Sequence, residues 1–237
     1  MVNIGGANTG NERRGLSFLV FVGIIGFSIA RAIATFFTNY LWFDSVDLNS
    51  VWIKILLTKS ILVAATSLLA FAFIFVNLRL AVRATPVMDI FESFESQDPL
   101  TRFREFFNER FLKYRLWGAI GLSLFLGAGA SQLWEQVLLF INQKSFGVAD
   151  PVFQYDVSSY VFGLPLYRLF VSWGFQLVIF TSFIIILFFI ATGALQLRQG
   201  RLPEVSSGAK AHLSVLLAFV ALLKAFAYRL DAMELLY

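Results

Sequence analysis

The 237-residue chain has no cysteine, a single histidine and five prolines. Without a thiol there is no disulfide, no thiolate nucleophile, no iron–sulfur cluster and no cysteine-based zinc site. One histidine, His212, excludes a bis-histidine haem site and a histidine-rich metal centre. No nucleophile elbow, phosphate-binding glycine loop or zinc-protease motif occurs, and Ser206-Ser207-Gly208 reads as a loop and helix cap. Charge is also scarce. Charged residues make up 14% of the chain, against about 25% in soluble domains.

Apolar residues replace them. They fill 58% of the positions, and the mean hydropathy is +0.74. They gather in five continuous runs near 16–37, 51–76, 117–138, 166–191 and 211–228. A hydrocarbon core of about 30 Å needs about 20 helical residues. Backbone groups in lipid must be satisfied within the segment, and the runs lack the two-residue alternation of a barrel strand. The fold class is therefore all-α: one polytopic transmembrane bundle of about five spans. The first run follows Arg13 and Arg14 but is long for a signal peptide, so it reads as an uncleaved anchor.

Basic residues sort onto alternate connections. Arg13, Arg14, Arg79, Arg83, Arg102, Arg104, Arg110, Lys113, Arg115, Arg198, Arg201 and Lys210 fall on one side; Lys144, with Lys54, Arg168 and Arg229 near span ends, falls on the other. The richer side is the cytoplasmic one by the positive-inside bias. A bacterial inner or thylakoid membrane, with the N-terminus inside and the C-terminus outside, is expected. The net charge of +4 belongs to these flanks and to anionic headgroups rather than to nucleic acid.

Two connections carry their own pattern. Residues 98–116 start with Asp98 as a cap and Pro99 at the first helical position, and Phe103, Phe107, Phe111 and Tyr114 recur on one face. That predicts an amphipathic helix at the cytoplasmic interface, a membrane brace before a docking helix. In the outer loop, 143–165, Asp150-Pro151 predicts a turn, Asp156 a cap for a short helix over 157–162, and Gly163 its end. The third span holds Gly118, Gly121, Gly127, Gly129 and Ser131, small residues that let helices approach. The fourth, with Phe175, Phe180, Phe183, Phe188 and Phe189, reads as the more lipid-exposed.

The stretch Asp150-Pro-Val-Phe-Gln-Tyr-Asp-Val-Ser-Ser-Tyr160-Val-Phe-Gly-Leu-Pro165-Leu-Tyr-Arg168 resembles a signature of uncharacterised protein family 0182, large polytopic bacterial membrane proteins. Ala211-His-Leu-Ser-Val-Leu-Leu-Ala, Leu223-Lys-Ala-Phe-Ala-Tyr-Arg-Leu-Asp231 and Glu234-Leu-Leu-Tyr237 resemble its next one; Asn39-Tyr-Leu-Trp-Phe-Asp-Ser-Val46 and Asn77-Leu-Arg-Leu-Ala81 resemble earlier, weaker ones. Gln154 stands where the family usually has Gly, Ser159 where it often has Phe, and Ala232 and Met233 where Arg and Tyr are expected. The resemblance implies the N-terminal membrane portion of a longer protein, or a short relative, and carries no reaction.

Ionisable residues inside spans are the remaining candidates for chemistry. Arg31, Lys59 and Lys224 fall at similar depths in the outer half of the bilayer, with Glu135, Asp44, Asp47 and Asp231 as counterions. They read first as bases that snorkel to the outer interface, with an internal pair such as Lys224 with Glu135, ahead of an outward-facing anion or lipid-headgroup site. The acidic set Asp150, Asp156, Asp231 and Glu234 lacks ligand spacing, so no metal is predicted. His212 could hold a single pigment, against an ordinary interfacial position beside Lys210. No cofactor is predicted, beyond a few pigments or lipids within a photosynthetic complex. The expected role is a non-catalytic accessory subunit of a larger respiratory or photosynthetic membrane complex. The expected partners are the bilayer and other integral membrane proteins or further copies of the chain. A transporter or channel component using the basic site is the alternative.

Overall fold

The computed structural model describes the backbone of residues 9–85, 99–196 and 204–236, and the side chains of 17–85, 113–196 and 204–236. The helices are α1 (Thr9–Ser45), α2 (Asn49–Ala84), α3 (Pro99–Ala128), α4 (Trp134–Ile141), α5 (Leu164–Ala191) and α6 (Ser207–Glu234). A 3-10 turn, Gly129–Leu133, joins α3 to α4, and a π-helical turn, Ser159–Gly163, leads into α5. Five segments are long and apolar enough to cross a membrane: Ser17–Ser45, Asn49–Ala84, Lys113–Ile141, Ser159–Ala191 and Ser207–Glu234. The five runs of the sequence coincide with them, the first apart from its opening residue, Leu16, and the chain is a multi-pass membrane protein. The helices extend past the apolar runs because helical hydrogen bonding continues into the polar flanks.

The chain divides into two compact units, Met1–Leu56 and Leu57–Tyr237. In the first, α1 turns into α2 at Asp47, which takes a positive φ of 56°. The turn is held by Leu48 N–H donating to Phe43 O at 2.9 Å and by the Asn49 amide donating to Asp44. Trp52 fills the angle, its ring 5.7 Å from Phe36 and 5.4 Å from Phe43.

In the second unit the core runs along one stripe of each helix: Ala70, Ile74, Leu78 and Ala81 of α2, Ala119 and Leu126 of α3, Leu177, Ile185, Phe188 and Phe189 of α5, and Ala209 and Leu216 of α6. α5 packs against α3, α4 and α6, so the expectation of a lipid-exposed fourth span is overturned. Its buried positions Leu177, Thr181, Ile185, Phe188 and Phe189 keep the spacing of a single helical face, whereas Phe180 and Phe183, off that face, are exposed. Aromatic content gave the wrong reading; spacing gives the right one.

The small residues of the third span also divide. A Cβ on Gly127 would meet Ser67 at 2.0 Å (Oγ) and 2.8 Å (backbone N), so α2 and α3 cross there. Around Gly118, Gly121 and Gly129 a Cβ would meet nothing within 4 Å, and Ser131 donates to Ala128 O of its own turn. Within the chain, Gly118, Gly121 and Gly129 are therefore not points of close helix approach. Two unforeseen close approaches take over: Gly208 beneath Ala84 O, and Gly174 beneath Leu223.

α3 begins at Pro99 as the sequence predicts and runs unbroken into the third span. Asp98 and the side chains of Phe103, Phe107 and Phe111 lie outside the described residues; Tyr114 is exposed. Ser206 caps α6, its hydroxyl accepting from Ala209 N–H at 3.3 Å. Before it, Leu195–Gln196 and Glu204–Val205 pair as a two-residue antiparallel ladder, too short to leave a period in the sequence.

Candidate functional site: a clamped loop end and a buried polar pair

The loop between α4 and α5 is organised by two carboxylates. Asp150 accepts from Val152 N–H at 2.8 Å and Phe153 N–H at 2.7 Å on one oxygen. On the other it accepts from Tyr155 N–H at 2.9 Å and the Tyr160 hydroxyl at 2.7 Å. Pro151 takes the turn position without needing a donor. Asp156 accepts from Phe146 N–H and Gly147 N–H at 3.0 Å, Ser158 N–H at 2.8 Å and the Ser145 hydroxyl. A bridge between Ala149 and Asp156 closes the loop. Desolvation pushes the Asp150 carboxyl up. The hydrogen bonds from Tyr160, Phe153, Tyr155 and Val152 outweigh it and lower the group from 3.8 to about 2. The Ser145 and Ser158 side chains, then the Phe146 and Ser158 amides, hold Asp156 well below the ordinary carboxylate range.

Asp156 caps the next turn as expected, but Gly163 does not end a helix. The backbone winds through the π turn straight into α5, with Pro165 in its first turn. Gly163 is small for another reason: a Cβ there would stand 3.3 Å from the Tyr167 ring and 3.7 Å from Phe140.

The far end of α6 is tied to this loop end. Arg168, near the start of α5, donates through Nε to Glu234 at 2.6 Å and through an Nη to Asp231 at 2.5 Å. The two acceptors stand three residues apart on one face of α6, the spacing a forked guanidinium can span. The Arg229 guanidinium lies 4.5 Å from the Phe153 ring centroid. Tyr160, Leu164, Leu230 and Met233 form a small buried cluster with Phe153 and Val171 against it. Of the motif residues, Asp150, Asp156 and Tyr160 thus come together as a structural junction, while Pro151 and Pro165 take exposed turn positions.

The intramembrane bases behave differently. The Lys59 ammonium rests 5.4 Å from the Trp134 ring centroid, and Lys224 rests 4.5 Å from that of Tyr228, one turn along its own helix. The expected Lys224–Glu135 pair does not form. Of the other expected counterions, Asp231 is engaged by Arg168 and Asp44 accepts from Asn49. Arg31 belongs to the N-terminal unit.

His212 is buried against neighbouring helices near the start of α6. It lies 7% exposed, edge-on to Phe189, with Nε2 3.0 Å from Asn77 Oδ1. Asn77 donates from Nδ2 to Phe73 O at 2.8 Å, which fixes its amide orientation. Nε2 must therefore carry the proton it shares with Oδ1. That nitrogen is engaged, while Nδ1 is enclosed and has no hydrogen-bond partner. Sequence reasoning missed this pair and the Arg168 fork. The available signal for both was complementary side chains at the same ends of two spans.

The family model described as an uncharacterised protein family, UPF0182, matches residues 16–237. Relatives described as UPF0182 proteins include one from Mycobacterium bovis (strain BCG / Pasteur 1173P2), 37% identical over 202 residues, covering 84% of this chain and 20% of the relative. One from Rhodococcus jostii is 34% identical over 203 residues, covering 85% and 20%; one from Nocardia farcinica is 34% identical over 200 residues, covering 84% and 20%. The chain spans about a fifth of the length of these curated relatives. No solved structure matches it. With the membrane bundle and its loop-end motif matched across residues 16–237, the chain belongs to the uncharacterised protein family UPF0182.

Proposed function

We propose that the chain is a non-catalytic scaffold in a bacterial membrane, an accessory subunit that packs with other integral membrane proteins or further copies of itself. One observation carries this reading: the ionisable groups at the loop end are spent on holding the protein together. Asp150 and Asp156 each accept four hydrogen bonds from their own loop, and Arg168 is shared by Asp231 and Glu234. A general acid or base needs reach to a substrate proton, and these groups are committed elsewhere. A rigid loop end on a membrane bundle suits an assembly surface. The transporter alternative gains its support from Lys59 and from the 3-10 turn that interrupts the third span.

The biased distribution of Lys and Arg supports an orientation with the N-terminus cytoplasmic and the 142–165 loop outside. The cysteine-free chain makes this directly testable. Lys144→Cys should label with a membrane-impermeant maleimide on intact cells, and Arg83→Cys only after lysis; the reverse pattern refutes the orientation. Gentle purification from the native membrane tests the role. A stoichiometric complex or a stable homo-oligomer supports the scaffold. A monomer that restores ion flux in vesicles points to the transporter.

A further inference from the structure

We infer that the crossing of α2 and α3 holds one membrane phospholipid, its phosphate on Lys59 and an acyl chain in the cleft beneath. α2 is 36 residues long, about 54 Å, and a hydrocarbon slab of about 30 Å centred on it covers roughly residues 57–77. That interval lies between Lys54 and Arg79, and Lys59 is the only charged residue in it. Its Cα sits about two residues, roughly 3 Å, inside the slab edge. At that depth a lysine stem reaches the phosphate level while its methylenes stay in hydrocarbon.

The surroundings fit such a ligand. Lys59, Ser60, Val63, Ala64 and Ser67 of α2 and Leu124 of α3 line a cavity of about 400 Å³. Its wall is apolar apart from the lysine and the two serines, which lie on one helical face at positions 59, 60 and 67. The Trp134 ring holds the Lys59 ammonium beside this cavity, and among the described residues no carboxylate pairs with it. Ser67 is more than nine-tenths buried, its Oγ packed against Gly127 where the two helices cross. A cation above and an apolar floor below match the head-to-tail order of a phospholipid. The bilayer supplies that molecule at high local concentration.

The test uses the full 237-residue chain in mild detergent, depleted of lipid and titrated with dioleoyl phosphatidylglycerol, retained lipid being counted by native mass spectrometry. Dioleoylglycerol, which lacks the phosphate, and inorganic phosphate, which lacks the chains, run in parallel. One tightly retained phosphatidylglycerol is expected, with both partial ligands weaker. Lys59→Gln should weaken retention by about tenfold, the scale of one charge-assisted hydrogen bond, and Lys59→Arg should restore most of it. Leu124→Trp keeps the charge but fills the cleft, and should also displace the lipid. Lys224→Gln should change nothing. Retention unchanged in both Lys59→Gln and Leu124→Trp overturns the assignment. Diacylglycerol binding as tightly as the phospholipid removes the phosphate contact, and inorganic phosphate competing at equal affinity makes the site one for a small anion. Each of those results also overturns it.

Discussion

The two ends of α6 solve the same problem, how to keep polar side chains within a membrane bundle, in opposite ways. At the loop end the groups are charged and over-supplied with partners: Arg168 has two carboxylates, and Asp150 and Asp156 have four donors each. At the other end a neutral pair, His212 and Asn77, shares one hydrogen bond, and one imidazole nitrogen has no partner. The charged groups remain part-exposed, with side-chain exposures of 28% for Arg168 and about half for its partners. The neutral pair is 7% exposed on both sides. Charge is kept where water lowers its cost, and a single neutral bond is kept where water does not reach.

The comparison breaks most severely at Asp156. Asp156→Ala removes one acceptor serving four donors, and the loop from Ser145 to Ser158 should lose its fold while the helices survive. Limited proteolysis should cut between 143 and 157 with helical circular dichroism unchanged. Resistant loops would show that the backbone bridge alone suffices. Acid should do the same reversibly. Asp150 has a carboxyl lowered in the folded state from 3.8 to about 2. Its contribution is therefore full above pH 4 and is lost as pH falls from about 4 toward 2. The loop should become protease-sensitive in that window, and Asp150→Asn should show a weaker pH response there.

The neutral end should respond more sharply to one change than to two. His212→Leu leaves Asn77 Oδ1 enclosed without a donor, and Asn77→Leu leaves the ring without an acceptor; each should cost about 1–3 kcal/mol. The double variant replaces both by apolar groups and should recover most of the loss, so that it costs well under the sum of the two single variants. Denaturation in mixed detergent micelles measures all four corners. Additive losses would show that the pair is not coupled. Arg168→Gln comes next. It leaves Asp231 and Glu234 facing each other on one helix face, but these groups are part-hydrated, so the cost should be about 1 kcal/mol or less. It should shrink further in high salt, whereas the His212 variants should be insensitive to salt.

Much of this was legible in the sequence. Five apolar runs gave five spans because lipid leaves the backbone few alternatives. Pro99, Ser206, Asp150 and Asp156 show their turn and cap roles in the sequence because those roles depend on local hydrogen bonding. Partnerships between spans are less legible. In the sequence Arg168 reads as a flanking charge and Asp231 as a counterion for other bases, because pairing them requires knowing which spans are neighbours. Gly127 could not be told from Gly118, since both sit in the same small-residue stretch and only the crossing point of α2 distinguishes them. Lys59 and Lys224 share a depth in the sequence, and depth says nothing of azimuth; each rests on its own aromatic ring.

The smallest expected effect tests the loop end from the opposite direction, by strengthening it. Gln154 stands where the family resemblance places Gly, and its φ is 58°, in the left-handed region. A side chain there costs about 1–2 kcal/mol through crowding of Cβ against the carbonyl, while Gly would lose about 0.4–1 kcal/mol more chain entropy on folding. Gln154 also offsets part of its strain by donating from Nε2 to Pro151 O at 3.1 Å, an exposed bond of small net value. Gln154→Gly should therefore stabilise the loop by a few tenths of a kcal/mol, seen as slower proteolysis between 143 and 157. Gln154→Val should act the other way and more strongly, because a β-branched residue tolerates positive φ least. If Gly instead loosens the loop, the Nε2 bond outweighs the backbone strain, and the clamp depends on this side chain as well as on its two carboxylates.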